Sequence, residues 1–172
     1  MTSSQKSFLF AAIMCLVCGF LLTAAAQGLK PLQLENVKID KQKNILKALG
    51  TIKADQKVDK ETIKKLYESN IVEKWVDNEG KLFLQKPENK TTHPIYLIQK
   101  NTLIDGYAFP FKAYGLWSWM HGYVAFDRDG DTLRGFTVYQ HGETPGLGGE
   151  CEKPWFQNQF KGKKITNNQN VF

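Results

Sequence analysis

The longest hydrophobic stretch of the chain lies near its N-terminus. Residues Phe8–Ala26 are apolar or small almost throughout and carry no charge. A helix of this length spans roughly 28 Å at about 1.5 Å per residue, close to the thickness of a bilayer core. The pattern therefore predicts a membrane-spanning helix. The alternative is a cleaved secretory signal, with Lys6 before the apolar run and Ala24-Ala25-Ala26 as its cleavage site.

Beyond this segment the pattern changes to short amphipathic elements. Apolar residues between Leu32 and Leu49 predict a helix that ends at Gly50, and Asp59 begins a second helix that ends near Asn70. The remaining apolar runs predict five strands and a short helix, at Ile71–Val76, Leu82–Leu84, Pro94–Gln99, His121–Asp127, Thr132–Tyr139 and Pro154–Phe160. Because helices come first and strands later, without a regular β-α-β alternation, we predict an α+β fold.

Charge is spread along the chain and is not gathered in one block. Lysine and arginine total 23 and aspartate and glutamate 17, which gives a formal net charge of +6. No nucleic-acid-binding motif is present, so we expect a solvated basic surface and no nucleic-acid partner. Lys30, Lys38, Lys41 and Lys43 follow the apolar segment while only Lys6 precedes it. This bias, taken alone, favours a cytoplasmic location for the C-terminal part.

The three cysteines do not suggest a disulfide framework. Cys15 and Cys18 lie within the apolar segment, and Cys151 stands alone. The spacing of the first two would place both thiols on one helix face, where they could bind a metal. No further ligand is nearby, however, and cysteine suits an apolar helix as a small hydrophobic residue. We therefore predict no metal site.

A glycine-rich stretch follows the last predicted strand. It reads His-Gly-Glu-Thr-Pro-Gly-Leu-Gly-Gly-Glu over residues 141–150. Its glycines permit positive φ and leave bare backbone, so its N–H groups could approach a phosphate or the edge of a planar ring. It lacks the lysine-serine/threonine ending of a P-loop and does not match the dinucleotide fingerprint. A wide hairpin turn is the alternative interpretation.

A second group of candidate residues lies at 115–122, with the sequence Gly-Leu-Trp-Ser-Trp-Met-His-Gly. Two tryptophans and a methionine beside small residues could form the wall of a planar cofactor site, or they could begin a core strand. His121 and His141 stand at opposite ends of the predicted hairpin and could approach one another. A third metal ligand is not evident, which favours structural histidines over a metal pair.

Together these segments resemble the C subunit of the sodium-pumping NADH:quinone reductases. The resemblance rests on Gly-Leu-Trp-Ser at 115–118, the hairpin that follows, and the glycine-rich stretch at 141–150. Gly28–Pro31 and Asp40–Leu46 are also similar, so the resemblance extends over essentially the whole chain. The family includes a related subunit of ion-translocating ferredoxin reductases, but Asp40–Leu46 fits the sodium pump better.

The resemblance implies an electron-transfer subunit with an FMN joined through its phosphate to a threonine in a Ser-Gly-Ala-Thr motif. This motif is absent from the sequence, and the family places it well beyond the glycine-rich stretch. We therefore expect a truncated chain, inactive alone, whose covalent attachment site lies beyond residue 172. The resemblance also implies the other subunits of a membrane NADH:quinone reductase, and membrane lipid, as partners. It places a single span in the bacterial inner membrane and the flavin domain on the periplasmic side, against the charge bias.

The resemblance further implies roles for the candidate site residues. One side of the flavin site would consist of Thr144, Gly146, Leu147, Gly148 and Gly149. Apolar wall would come from Trp117 and Met120 and a polar contact from Ser118, while Glu143 would shape the loop or bond a backbone amide. None of these residues needs to act as a catalytic acid, base or nucleophile, because the cofactor carries the chemistry.

The predicted organisation has three parts. Residues 1–27 contain the spanning helix at about 8–26, residues 28–70 form a helical connector, and residues 71–172 form the N-terminal part of an FMN-binding domain. Two other functional classes remain open. A non-catalytic membrane-anchored assembly or binding protein would carry no yellow chromophore. A secreted enzyme would begin at Gln27, although the sequence offers no nucleophile-base pair to define one.

Overall fold

The computed structural model of the protein describes residues 2–53, 55–88, 90–100 and 103–166. Its elements are the helices α1 (Ser3–Ala48), α2 (Lys60–Asn70) and α3 (Pro154–Gln157), the strands β1 (Ile71–Asp77), β2 (Leu82–Phe83), β3 (Thr92–Lys100), β4 (Leu103–Tyr114), β5 (Trp119–Asp127) and β6 (Leu133–Gln140), and the 3-10 helices Gly148–Glu152 and Asn158–Phe160. The two long helices precede the strands, which confirms the predicted α+β class.

All six strands belong to one antiparallel sheet in the order β2-β1-β3-β4-β5-β6. Strands β1 and β2 form a hairpin in which Trp75 pairs with Phe83. From β3 onwards the strands follow chain order as a meander, and the predicted hairpin of β5 and β6 is confirmed by the pairing of Val124 with Phe136.

Strand β4 was not predicted from the sequence, because Gly106 and Pro110 interrupt its apolar pattern. The described pairing between β3 and β4 runs from Leu103 to Ala108. Pro110 lies past this range and pairs with Tyr123 of β5 on its other side. A proline has no N–H to donate, so it is tolerated where its strand has a neighbour on one side only.

The end of α1 supplies much of the hydrophobic core. Ile45 and Leu46 have no exposed surface and pack in one cluster with Tyr96 and Tyr123 of the sheet. Those two rings meet edge-on with their centroids 5.8 Å apart. Burying a leucine or isoleucine side chain contributes about 1.5–3 kcal/mol, so this stretch of α1 is an integral part of the folded domain.

Both predicted helix boundaries in this region are confirmed by their capping contacts. Gly50 has a φ of +70°, and its N–H donates to the carbonyl of Lys47 at 3.0 Å, while the N–H of Thr51 donates to Leu46 at 2.9 Å. This pair of bonds is the Schellman arrangement, which favours glycine at its left-handed position. At the start of α2, the side chain of Asp59 accepts from the backbone N–H of Thr62.

Within the described part of the chain, α1 alone is long and apolar enough to cross a membrane. Its most apolar window has a mean hydropathy of 2.5 and no buried residues. This agrees with the predicted span at Phe8–Ala26. The helix continues through Pro31 to Ala48. A signal sequence near the N-terminus can meet the same criterion of length and composition, so the helix alone does not distinguish a retained anchor from a cleaved signal.

The chain divides into two compact units, Met1–Lys38 and Ile39–Phe172. The first consists of the apolar part of α1 and the turns of helix that follow it. The second contains the rest of α1, the remaining helices and the whole sheet. The predicted boundaries at residues 27 and 70 stay a prediction.

Strand β6 and the end of α1 approach each other very closely at Gly135. A Cβ atom built on Gly135 would lie 2.2 Å from the carbonyl oxygen of Ala48. Real Cβ atoms do not come so close to a backbone oxygen, so only glycine fits at this position.

Candidate functional site

The turn between β4 and β5 carries the first group of predicted site residues. The N–H of Gly115 donates to the carbonyl of Ser118 at 2.8 Å and closes the turn. Leu116 and Trp117 at its tip are 76% and 66% exposed. The alternative prediction was that the two tryptophans and Met120 begin a core strand; Trp117 lies outside any strand, whereas Trp119 and Met120 do begin β5. The turn instead presents apolar surface outwards.

Aromatic side chains support the base of this turn. Trp119, the first residue of β5, meets Tyr114 edge-on with ring centroids 5.2 Å apart. The ammonium group of Lys112 lies 4.3 Å from the centroid of the Trp119 ring, in cation–π contact. Lys112 and Tyr114 were not predicted as part of the site, because strand β4 was not predicted.

The glycine-rich stretch forms a compact turn and not a wide hairpin turn. The carbonyl of Thr144 accepts from the N–H groups of Leu147 at 3.1 Å and Gly149 at 3.0 Å. Gly146 has a φ of +75°, which favours glycine. The chain then enters the 3-10 helix Gly148–Glu152 and does not return as a strand. This loop places several backbone groups close together without intervening side chains.

Glu143 joins the two loops. Its Oε1 atom accepts from the backbone N–H of Trp117 at 3.0 Å and of Ser118 at 3.1 Å. A reciprocal bond runs from the N–H of Gly142 to the hydroxyl oxygen of Ser118 at 2.6 Å. Glu143 is only 8% exposed. We call this set of contacts the Glu143 clamp. Glu143 thus bonds backbone amides of the neighbouring turn.

Glycines on both sides make room for the clamp. A Cβ atom on Gly115 would lie 2.4 Å from Oε1 of Glu143, and one on Gly148 would lie 2.9 Å from its Cβ. Gly146 differs, because a Cβ atom there would meet nothing within 4 Å. A side chain at Gly115 or Gly148 would therefore displace Glu143 from the clamp, whereas Gly146 is favoured by its backbone conformation.

The clamp also determines the charge state of its carboxylate. Hydrogen bonds from the backbone N–H of Trp117, and then of Ser118, hold the pKa of Glu143 below its ordinary value. Each N–H stabilises the ionised form, which outweighs the opposite effect of burial. The two loops are thus fastened by a carboxylate that is negatively charged at neutral pH.

Contacts of the clamp bring most of the predicted residues together. The turn and the loop contain Trp117, Ser118, Glu143, Thr144, Gly146, Leu147, Gly148 and Gly149. Met120 lies in β5, paired with Ala113, and is half-buried. The roles of all these residues toward a cofactor stay a prediction.

The two histidines have different surroundings: His121 lies in β5, and His141 follows the end of β6. His121 pairs in register with Gln140, the neighbour of His141. Nδ1 of His141 accepts from the N–H of Glu143 at 3.2 Å, and its Nε2 lies 3.4 Å from a carboxylate oxygen of Glu152. His141 therefore supports the glycine-rich loop. Within the described ranges, no group of three or more His, Cys, Asp or Glu side chains is arranged to hold a metal ion.

A family model described as the FMN-binding domain matches residues 115–171. The match begins at the β4–β5 turn and includes the whole glycine-rich loop, so both sides of the Glu143 clamp fall within it. Among solved structures, Shewanella oneidensis NqrC shares the fold, with a TM-score of 0.63 and 22% identity over 76% of this chain and 72% of that one. The C subunit of the Na(+)-translocating NADH-quinone reductase from Parabacteroides distasonis has a TM-score of 0.67 and 28% identity, covering 80% and 70%.

Sequence relatives match nearly the whole chain. The C subunit of the Na(+)-translocating NADH-quinone reductase from Yersinia pestis is 33% identical over 97% of this chain and 73% of its own length. The corresponding protein of Pseudomonas aeruginosa is 31% identical over 97% of this chain and 75% of its own. The resemblance inferred from the sequence motifs is confirmed: this chain belongs to the NqrC family, the C subunits of the Na+-translocating NADH-quinone reductases.

Proposed function

We propose that this chain is the FMN-carrying, electron-transfer subunit of a Na+-translocating NADH:quinone reductase, and that it relays electrons toward quinone. The observation that carries the proposal is the Glu143 clamp, which fixes an exposed aromatic turn against a glycine-rich loop inside the stretch that matches the FMN-binding domain. Its partners are the other subunits of the reductase. These supply the NADH and quinone chemistry, so this chain needs no catalytic acid or base.

The residues of the two loops suit a flavin. Its ring system is planar, and Leu116, Trp117 and Leu147 offer exposed apolar surface, with Leu147 73% exposed. Bare backbone at Gly146 stands in open space and can approach a ring edge or a phosphate. When bound, FMN supplies one- and two-electron redox chemistry. The chain's own residues hold and orient it.

Individual roles follow from these contacts. Trp117 provides apolar wall, with Met120 behind it on β5, and Thr144 together with Gly146, Leu147, Gly148 and Gly149 forms the opposite side. Ser118 acts mainly by fastening the loops, since its hydroxyl already accepts from Gly142. Glu143 holds both sides at a fixed separation and places a negative charge beside them, which disfavours added electron density on the flavin.

Covalent attachment of the FMN phosphate to a threonine is part of the same proposal. Ser-Gly-Ala-Thr does not occur in this sequence. The 19.6 kDa chain, produced with a flavin-attaching enzyme, is expected to show no flavin fluorescence in a denaturing gel. A chimera in which the C-terminal region of the Yersinia pestis relative follows residue 172 is expected to fluoresce.

The two gel bands test different statements. A fluorescent 19.6 kDa band, with the modified threonine mapped inside this sequence, would place the attachment site elsewhere. A chimera that folds, inserts and yet takes up no flavin would argue for a non-catalytic assembly or binding protein. A related chain that serves a ferredoxin-linked reductase would also take up flavin, but it would copurify with different subunits.

We further propose that Phe8–Ala26 is retained as a membrane anchor in the bacterial inner membrane, in contact with lipid, and that the flavin domain is periplasmic. The support is the charge-free length and the high mean hydropathy of this part of α1. Chain isolated from membranes is expected to begin at residue 1 or 2 by N-terminal sequencing. A mature start at Gln27 would instead identify a cleaved signal, and cysteine labelling from the periplasm tests the sidedness.

A further inference from the structure

A second concave region lies between the end of α1, strand β6 and helix α3. It consists of two adjoining cavities, of about 340 Å³ and about 600 Å³, that share Gly50, Arg134 and Lys161 in their walls. Each volume falls in the range of about 300–1,000 Å³ that is usual for small-molecule sites. We call this region the basic cleft. None of its lining residues belongs to the proposed FMN site.

Each cavity is lined by a threonine whose hydroxyl has no hydrogen-bond partner among the described residues. Thr137 lines the smaller cavity, is only 3% exposed, and its Oγ1 is buried and unpaired. Thr51 lines the larger cavity, and its Oγ1 is also buried and unpaired. Buried polar atoms are almost always satisfied, because leaving one without a partner is destabilising. Two such hydroxyls in adjoining cavities point to a hydrogen-bonding ligand.

The charges around the cleft indicate the sign of that ligand. Lys47, Lys53 and Lys161 line the smaller cavity, and within the described ranges none of them forms a salt bridge. Among the described residues of that wall, the only carboxylate belongs to Asp55. The smaller cavity therefore favours an anion.

Two details of the cationic side chains bear on how strongly they attract an anion. Desolvation lowers the pKa of Lys47, and Lys43 lowers it further. Asp40 and Asp55 raise this pKa, but their effect is smaller. Arg134 is different, because its guanidinium pairs with Asp105 at 2.6 Å and Asp127 at 3.2 Å. The lysines therefore dominate the attraction.

We propose that the basic cleft binds a phosphate group, with Lys47, Lys53 and Lys161 as its counterions and the hydroxyl of Thr137 as a hydrogen-bond donor. A phosphate oxygen accepts hydrogen bonds from ammonium and hydroxyl groups alike. A bound phosphate would therefore neutralise the lysine charges and give the Thr137 hydroxyl a hydrogen-bond partner. Two sources share this chemistry: a soluble phosphate ester, and the headgroup of an anionic phospholipid.

Thermal unfolding of the full chain in zwitterionic micelles, followed by tryptophan fluorescence, tests the proposal. Inorganic phosphate and glycerol 3-phosphate are compared with chloride and sulfate at equal ionic strength. Phosphatidylcholine bicelles with and without phosphatidylglycerol form the lipid arm. A saturable rise in Tm with the soluble phosphates identifies the first source, and a rise with phosphatidylglycerol alone identifies the second. Equal shifts with phosphate, sulfate and chloride would overturn the proposal.

Variants connect the effect to the cleft. Lys53→Gln and Lys161→Gln each replace an exposed side chain. Each variant is expected to weaken the apparent affinity for phosphate about tenfold, because one charge-assisted hydrogen bond is lost. Lys65→Gln on α2 removes the same charge outside the cleft and is the matched control. Thr137→Val is expected to raise Tm without phosphate and to reduce the phosphate-dependent rise. If Thr137→Val lowers Tm without phosphate and keeps the full rise, the hydroxyl has another partner and the proposal fails.

Discussion

Replacing Gly135 with alanine is expected to lower the free energy of unfolding by about 3 kcal/mol, a large part of the roughly 5–15 kcal/mol that stabilises a typical domain. The added Cβ atom would lie 2.2 Å from the carbonyl oxygen of Ala48. This oxygen is backbone at the end of α1, so it cannot rotate away as a flexible side chain would. Relief requires α1 to shift from β6, which would separate Leu46 and its neighbours from the core.

Urea denaturation followed by tryptophan fluorescence measures this effect. Gly130→Ala is the matched control, because Gly130 has a φ of +70° but a Cβ atom there meets nothing within 4 Å. That substitution is expected to cost only about 1 kcal/mol, from the left-handed backbone alone. Equal midpoints for the two variants would show that α1 and β6 do not approach as closely as described.

Replacing Glu143 with alanine is expected to release the two loops of the proposed flavin site from each other. The N–H groups of Trp117 and Ser118 both lose their acceptor, so their hydrogen exchange should rise to that of an open loop. The affinity of the flavin-free chimera for FMN should fall at least about tenfold, since a misplaced wall weakens binding. The measurements are amide exchange by mass spectrometry and an FMN fluorescence titration.

Acid should have the same effect on the native chain. Because the pKa of Glu143 is lowered in the folded state, its contribution to stability is present above the ordinary value of 4.5. This contribution is lost as the pH falls through the pKa of Glu143 in the folded state, which lies below 4.5. Exchange at Trp117 and Ser118 should therefore be slow at pH 5 to 7 and accelerate, after correction for intrinsic rates, below about pH 4.5. Glu143→Gln should remove this step; an unchanged step in that variant would assign it to another group.

Local capping rules were sufficient to locate the helix ends. Gly50 and Asp59 act through contacts within a few residues, so their positions in the sequence determine what they do. Strand β4 was not predictable in the same way. Its Pro110 is tolerated only because the pairing with β3 has ended, and that register depends on partners elsewhere in the chain.

The candidate site likewise combines features that the local sequence predicts with features that depend on residues distant in the chain. The glycine-rich stretch and the Gly-Leu-Trp-Ser turn are visible in the sequence, and their motifs carried the family resemblance. The Glu143 clamp is not visible there, because Glu143 and Trp117 are 26 residues apart and meet only through the register of β5 and β6. Gly115 and Gly148 would otherwise be interpreted as ordinary turn glycines, whereas a side chain at either would displace Glu143 from the clamp.

The meander from β3 to β6 has a consequence for how the domain folds. Each of these strands pairs with the next one along the chain, so closing each hairpin costs little loop entropy. The end of α1 is different, since Ala48 must find Gly135 across most of the domain sequence. Contacts that are distant in sequence slow folding. We therefore expect the sheet to form early and the docking of α1 onto β6 to limit the folding rate.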